Sequence, residues 1–267
     1  MARRIRLDAE LVRRGLARSR EQAAELVSAG RVEVRGSPAR KPAALVDPAD
    51  PVRLLDGGIG DGYVSRGAHK LAGALATFGP DGLTVAGKRC LDAGASTGGF
   101  TDVLLRAGAA GVVAVDVGYG QLAWSLRTDP RVRVVDRTNV RTLTGEAVGG
   151  PVALTVADLS FISLRLVLPA LVACTDPGGD LVPMVKPQFE VGRERVGPGG
   201  VITDPALRTE AVLAVARAAA GLGWGTAGVT ASPLPGPAGN LEYFLWLRRA
   251  AGQVDEAAVR SAVEGER

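Results

Sequence analysis

Short apolar runs alternate with longer helical stretches along most of the chain, from residue 89 to residue 247. Two of the runs, 112–116 and 153–158, are rich in Val and Ala and are bounded by turn residues, a pattern typical of buried strands. Strands that alternate with helices form a doubly wound, mostly parallel sheet. The predicted strands are 89–92, 112–116, 132–136, 153–158, 180–186, 228–231 and 243–247, and the predicted helices are 100–107, 121–127 and 204–222.

The composition of the 267-residue chain favours a folded protein of two domains. The hydrophobic fraction of 46% is sufficient for a substantial core. With two distant cysteines, Cys90 and Cys174, and one histidine, a zinc cluster is not expected, and we predict no metal and reduced thiols. No stretch approaches the roughly 20 apolar residues of a membrane span. We therefore expect a cytoplasmic monomer that does not bind membranes.

The first 41 residues carry most of the positive charge. They hold eleven Arg or Lys residues against five acids, a net charge of +6, whereas the whole chain carries +4. The spacing of apolar residues predicts amphipathic helices at 7–16 and 19–30, followed by a strand at 31–36. A basic front with this compact pattern is expected to meet a polyanion.

This front segment, RLDAELVRRGLARSREQAAELVSAGRVEVRG, resembles the RNA-binding domain of ribosomal protein S4. The resemblance implies that its arginines contact RNA phosphates, which position RNA without reading its sequence. The alternative is a solvated arginine-rich surface. The candidate RNA-binding residues are Arg4, Arg6, Arg13, Arg14, Arg18 and Arg20.

Domain boundaries follow the Pro- and Gly-rich stretch after residue 37. The glycine run 56–62 is predicted to be an interdomain linker. We expect a small α+β RNA-binding domain with its linker over residues 1–60, a catalytic α/β domain over 61–250 and a polar, helical tail over 251–267.

A glycine-rich loop after the first strand of the α/β domain predicts a cofactor site. Glycines there let the backbone approach a ligand, and the start of the next helix favours an anionic group. The spacing Asp-x-Gly-x-x-x-Gly-Gly resembles methyltransferase motif one, and acids follow the next three strands, which favours S-adenosylmethionine over a nicotinamide cofactor. The candidate cofactor residues are Asp92, Gly94, Ala95, Ser96, Thr97, Gly98, Gly99, Phe100, Asp116, Asp136, Asn139 and Asp158.

The residues after the fourth strand restrict the atom that can be methylated. Asp158-Leu-Ser-Phe161 lacks the Pro-Pro-aromatic pattern of enzymes that act on exocyclic amines, and neither cysteine has the context of a nucleophile for cytosine carbon. A ribose hydroxyl instead needs a base, and a lysine can serve if its pKa is lowered by its surroundings. The lysines and acids available for such an arrangement are Lys70, Asp158, Lys186 and Glu242.

The order of these four residues, together with "SRGAHKL", "DAGASTGGFTD", "VKPQFE" and "SPLPGPAGNLEYFLWL", resembles the TlyA family, whose catalytic half is similar to the FtsJ ribose methyltransferases. The resemblance implies a Rossmann-like class I methyltransferase fold with a seven-stranded sheet and 2′-O-methylation of cytidine in ribosomal RNA of the large subunit, and also of the small subunit in the longer members. It also implies a link to capreomycin-type antibiotics. By the same resemblance Lys186 is the base, Asp158 holds it beside the methyl donor, and Lys70 and Glu242 position the ribose.

Other interpretations remain open from the sequence alone. Asp92, Asp136 and Asp158 can be polar strand ends or helix caps, and Lys186 can be an exposed strand-end lysine. The three tryptophans, Trp124, Trp224 and Trp246, are expected in the core. For the whole chain the alternatives are a membrane-active haemolysin, a non-catalytic ribosome-assembly factor and a nicotinamide-dependent oxidoreductase.

Overall fold

The computed structural model describes residues 4–17, 19–28, 30–54 and 63–265. The chain divides into two compact units, Met1–Arg66 and Gly67–Arg267. Each unit has its own hydrophobic core and is described by itself. The predicted glycine linker 56–62 and the candidate RNA-binding residue Arg18 lie outside the described residues.

The first unit is a small α+β domain with two helices and short strands. Its apolar residues recur at helical spacing in the helices and alternate in the strand after them, so that a single core forms between the elements. The hydroxyl of Ser19 accepts a hydrogen bond from the amide of Gln22 and caps the second helix. The elements are β1 (Ile5–Arg6), α1 (Leu7–Arg13), α2 (Arg20–Ser28), β2 (Val32–Val34), β3 (Ser37–Pro38), β4 (Leu45–Val46) and β5 (Val52–Leu54).

The second unit contains the alternating strands and helices that the sequence predicts. Its elements are α3 (Gly67–Phe78), β6 (Arg89–Ala93), α4 (Gly99–Arg106), β7 (Gly111–Val115), α5 (Trp124–Arg127), β8 (Val132–Val135), β9 (Val152–Ala157), α6 (Leu164–Cys174), β10 (Thr175–Val185), α7 (Pro205–Gly221), β11 (Gly225–Ala231), β12 (Tyr243–Arg248) and α8 (Glu256–Glu264).

Within the described residues these strands form a seven-stranded sheet in the order β11-β12-β10-β9-β6-β7-β8. The pairs from β10 to β8 are parallel, whereas β12 runs antiparallel to both of its neighbours. The five parallel strands therefore end at one edge of the sheet, and β12 begins at that same edge. This is the edge where a doubly wound sheet binds its ligands.

Two helices of this unit have weak sequence signals and were not predicted. The helix α3 reads Gly-Ala-His-Lys-Leu-Ala-Gly-Ala-Leu-Ala-Thr-Phe, in which small residues obscure the amphipathic spacing. The helix α6 is apolar along most of its length and contains Pro169. A buried helix shows little periodicity, and an internal proline usually marks a boundary.

The C-terminal segment differs from the separate polar tail that we expected. It contains the helix α8, and the side chains of Val259 and Val263 are buried in the main core of the second unit. Asp255 caps this helix by accepting a hydrogen bond from the amide of Ala257 over 2.8 Å. The segment is therefore part of the packed second unit.

The tryptophans divide into buried and exposed groups. Trp224 and Trp246 are buried as expected, but Trp124 is 76% exposed, so its expected place in the core is wrong. Trp124 opens the four-residue helix α5, in which Leu126 is the buried residue instead. None of the helices in the described ranges is long and apolar enough to cross a membrane.

Candidate functional site

Three of the four candidate catalytic residues lie at neighbouring strand ends. Asp158 directly follows β9, Lys186 directly follows β10, and Glu242 directly precedes β12. Val185 pairs with Tyr243 across the antiparallel β10–β12 ladder, so the next residues outward, Lys186 and Glu242, meet at the same edge. The sheet order β12-β10-β9 therefore brings the three side chains together.

The four residues form two short lysine–carboxylate pairs. Lys70, in the first turn of α3, donates a hydrogen bond from Nζ to Glu242 Oε2 over 2.5 Å. Lys186 Nζ lies 2.6 Å from Asp158 Oδ1. Both lysines are buried, and Glu242 is 1% exposed. Buried charges need such partners, because an unpaired charge is costly to remove from water.

The glycine-rich loop between β6 and α4, residues 94–98, is called the cofactor loop. It packs directly against the end of β9. Gly94 has a φ of +88°, and a Cβ atom on it would lie 2.3 Å from the carbonyl oxygen of Asp158. Gly98 has a φ of +99°, and a Cβ atom there would lie 2.3 Å from Leu126 Cδ1. Side chains do not fit at either position. Gly94 therefore lets the loop reach the candidate catalytic residue Asp158, and Gly98 lets it pack on Leu126.

Acids at the next two strand ends line the same edge. Asp116, after β7, accepts hydrogen bonds from the amides of Ser96 and Gly118 over 2.8 and 2.7 Å. Asp136, after β8, accepts from the amide of Gly120 over 3.1 Å and from Arg127. Both carboxylates are partly exposed, so they retain acceptor capacity for the hydroxyls and amino group of a ligand.

Asp92, at the end of β6, is fully buried beneath the cofactor loop. Its Oδ2 accepts a hydrogen bond from the hydroxyl of Thr101 over 2.7 Å, and no described residue donates a hydrogen bond to its buried Oδ1. Burial raises the pKa of Asp92 to about 7, the nearby Asp158 and Asp116 add to the rise, and the Thr101 hydrogen bond opposes it. Asp92 therefore binds the first turn of α4 through Thr101 and contributes to the position of the loop.

This raised pKa predicts a pH dependence of stability. In the unfolded chain Asp92 ionises near its ordinary pKa of 3.8. The contribution of the protonated Asp92 carboxyl to the stability of the folded protein is therefore full below about pH 4 and is lost as the pH rises through about 7. Asp92→Asn keeps an oxygen for Thr101 and does not ionise. We expect the melting temperature of the variant minus that of the native protein to be several degrees larger at pH 8 than at pH 5. Thermal unfolding without cofactor measures it, and a pH-independent difference would exclude Asp92 as the source.

Several candidate cofactor residues have structural side-chain roles. Ala95 and Phe100 are buried, and the Phe100 ring packs 6.0 Å from the ring of Phe244. Asn139 accepts a hydrogen bond from the amide of Arg141 and caps a short 3-10 helix. The side chains of Phe100 and Asn139 therefore hold the loops, whereas Ser96 and Thr97 remain accessible.

A cavity of about 490 Å³ lies between the segments that follow β9 and β10. It is lined by residues that follow Asp158 and Lys186 along the chain, among them Phe161, Gln188 and Phe189. Phe161 is 92% exposed.

Glu190 connects the segment after β10 with the segment after β9. It belongs to the motif "VKPQFE", but no role for it was predicted from the sequence. Its carboxylate accepts hydrogen bonds from the Ser163 hydroxyl and the Leu164 amide, both over 2.6 Å. Burial raises the pKa of Glu190, and these two hydrogen bonds oppose the rise. The signal that could have identified it is an acid four residues after the candidate base in an otherwise apolar segment.

The predicted RNA-binding arginines of the first unit are arranged around two buried acids. Asp8 binds Arg6 and Arg20, with closest distances of 2.8 and 3.1 Å. The Arg6 hydrogen bond, with help from Arg20, holds the pKa of Asp8 well below its usual range.

Glu10 is the second of the two buried acids. It binds Arg13 and Arg14 over 2.6 and 2.7 Å, and the Arg13 hydrogen bond lowers the pKa of Glu10 to about 2. Most of the predicted arginines are thus fixed in direction and partly neutralised, whereas Arg4 is exposed. Fixed guanidinium groups with unused N–H donors suit phosphate oxygens.

Two family models match successive parts of the chain. A family model of the FtsJ-like methyltransferases matches residues 63–249, and a model of the S4 domain matches residues 5–52. These matches confirm the predicted methyltransferase fold with a small S4-type domain.

Individual relatives span nearly the whole chain. The 16S/23S rRNA (cytidine-2'-O)-methyltransferase TlyA of Mycobacterium tuberculosis is 62% identical over 271 residues, which cover 99% of this chain and 100% of that protein. Hemolysin A of Brachyspira hyodysenteriae is 35% identical over 241 residues, covering 90% and 98%. A solved structure from Streptococcus thermophilus, named as a hemolysin, has a TM-score of 0.77 at 37% identity and covers 99% of this chain and 96% of its own. The chain thus belongs to the TlyA family of FtsJ-like methyltransferases and carries an S4 domain in its first unit.

Proposed function

We propose that the protein transfers a methyl group from S-adenosylmethionine to the 2′-hydroxyl of a cytidine ribose in ribosomal RNA. The observation that carries the proposal is the pair of lysine–carboxylate contacts, Lys186–Asp158 and Lys70–Glu242, each with a buried lysine, at the strand edge beside the glycine loop. A cytidine in both ribosomal subunits is favoured by the 62% identity to a relative whose name states 16S and 23S rRNA. A ribosomal substrate also favours a cytoplasmic location. The link to capreomycin-type antibiotics stays a prediction.

The residues at the strand edge fit S-adenosylmethionine. Gly94 and Gly98 let the loop pack closely on Asp158 and Leu126, and glycine backbone in such a loop can approach a ligand closely. Asp116 would accept the ribose hydroxyls and Asp136 the adenine amino group. The start of α4, a polar helix end, would face the carboxylate of the ligand. When bound, the cofactor supplies an electrophilic methyl group on a sulfonium.

The lysine–carboxylate pairs provide the chemistry on the RNA side. Lys186 accepts the proton of the 2′-hydroxyl, and Asp158 stabilises the ammonium that results. Because Asp158 also contacts the cofactor loop through Gly94, the base is held next to the methyl donor. Lys70 and Glu242 orient the ribose from the other side. This proximity converts two bound molecules into a reacting pair.

The experiment for this proposal is a methyl-transfer assay with S-adenosylmethionine labelled in its methyl group. Both ribosomal subunits and the extracted rRNAs serve as acceptors. Transfer to RNA in at least one of these acceptors is expected. Absence of transfer to all of them, by protein that binds the cofactor, would contradict the proposal.

The first unit is proposed to bind the RNA through its arginines. Each phosphate contact that is removed lowers the steepness of the salt dependence by about 0.7–0.9 in log–log units. We expect the double variant Arg4→Gln, Arg20→Gln to bind rRNA more weakly, with the slope reduced by about 1–2. Arg6 still pairs with Asp8 in this variant.

The matched control is Arg53→Gln, an exposed arginine of β5 in the same unit that is not a candidate contact. Fluorescence anisotropy at several salt concentrations measures both affinity and slope. An equal change of slope in the control and in the double variant would mean that charge in general, and not this set of arginines, binds the RNA.

A further inference from the structure

Ser160 contacts the amine of Lys186 but is not one of the four residues of the two lysine–carboxylate pairs. Lys186 Nζ donates a hydrogen bond to Ser160 Oγ over 2.9 Å. The same nitrogen lies 2.6 Å from Asp158 Oδ1. Lys186 is 8% exposed, whereas Ser160 lies at the surface. The buried amine is therefore held by two oxygens from one short segment.

A lysine that accepts a proton must present the lone pair of its neutral amine to the acceptor hydroxyl. The neutral nitrogen is tetrahedral, with one bond to Cε, two N–H bonds and the lone pair. One N–H of the neutral amine is directed at Asp158 Oδ1, which leaves the second N–H and the lone pair free to exchange places. A hydrogen bond to a hydroxyl prefers a nearly linear geometry. The bond to Ser160 therefore fixes the rotation of the amine.

The backbone that carries Ser160 is itself fixed. The amide of Asp158 donates a hydrogen bond to the carbonyl of Ala93 over 3.0 Å, and its carbonyl packs on Gly94. Phe161, directly after Ser160, has a φ of 64°, which turns the chain sharply. The hydroxyl of Ser160 is thus presented from a turn that is tied to the cofactor loop.

We propose that Ser160 is a positioning residue that directs the lone pair of Lys186 at the acceptor hydroxyl. The inference rests on the proposed function. In that reaction the proton of the 2′-hydroxyl moves to Lys186 Nζ, the oxygen forms its bond to the methyl carbon, and the sulfonium sulfur keeps the electron pair of the broken bond. Ser160 neither gains nor loses a proton in this step. It keeps one N–H of the amine occupied so that the lone pair faces the ribose.

The test compares Ser160→Ala with Ser160→Thr. We expect Ser160→Ala to lower kcat for methyl transfer about tenfold or more, the usual cost of losing one oriented hydrogen bond to a reacting group. The KM for RNA and the calorimetric Kd for S-adenosylmethionine should stay within about twofold of the native values. Ser160→Thr keeps the hydroxyl and should restore kcat. Ser261→Ala, an exposed serine of α8, is the matched control and should leave all three values unchanged.

Thermal unfolding of each variant shows whether the fold is intact. Full kcat in folded Ser160→Ala would overturn the inference while leaving ribose methylation in place. An equal loss of kcat in folded Ser160→Ala and Ser160→Thr would also overturn it, because the hydroxyl would then not be the cause. Methylation of a base by the native protein would instead contradict the proposed function itself.

Discussion

Replacing Lys186 with alanine is expected to lower methyl transfer to RNA by about 10²–10⁴-fold, the usual contribution of a positioned general base. The nitrogen of Lys186 is buried and paired with Asp158, so water does not readily replace it. The cofactor loop follows β6, whereas Lys186 follows β10. Calorimetry should therefore find S-adenosylmethionine binding close to native in this variant.

Lys186→Arg separates the base from the positive charge. Arginine keeps the charge beside Asp158, but its guanidinium stays protonated in proteins and cannot accept a proton. We expect this variant to be as slow as Lys186→Ala under single-turnover conditions. Substantial activity in the arginine variant would assign Lys186 an electrostatic role instead of that of the base.

Gly94→Ala is expected to lower the affinity for S-adenosylmethionine by at least about a hundredfold, through strain and a clash that both act on the cofactor loop. The added Cβ would lie 2.3 Å from the carbonyl oxygen of Asp158. That oxygen belongs to the backbone at the end of β9, a central strand of the sheet, and cannot move aside cheaply. The loop must then shift away from Asp158, which changes the backbone that forms the proposed cofactor site.

The matched control for this variant is Gly87→Ala. Gly87 also has a positive φ, +74°, but no described atom lies within 4 Å of a Cβ built there. Gly87→Ala therefore introduces the backbone strain of a side chain at positive φ without a clash. Calorimetry should show normal cofactor binding by Gly87→Ala and a large loss in Gly94→Ala. Equal binding by the two variants would mean that the close approach to Asp158 is unimportant for the cofactor.

The sequence predicted the strands because their β-branched runs are bounded by turn residues, and it identified Asp158, Lys186 and Glu242 because each adjoins such a run. It could not predict which lysine pairs with which acid. That pairing depends on the strand order β12-β10-β9, which results from packing of the whole sheet. The helix that carries Lys70 was also missed, because its many small residues weaken the helical pattern.

Other features depended on local geometry that a pattern does not contain. Trp124 was expected in the core, but the short helix α5 leaves it exposed. Asp92 was expected to contact the cofactor, and the structure buries it beneath the loop against Thr101. Ser160 was visible in the motif after β9, but its contact with Lys186 depends on the pairing of β9 with β10.

Nucleoside analysis of the methylated RNA tests the central claim most directly. Ribosomal RNA labelled by the protein with methyl-labelled S-adenosylmethionine is digested to nucleosides, which are separated and identified by mass spectrometry. The two lysine–carboxylate pairs predict that the methyl group is on the ribose fragment, which for the proposed cytidine acceptor is 2′-O-methylcytidine. Label on the base fragment would contradict the assignment of Lys70, Asp158, Lys186 and Glu242 to ribose methylation.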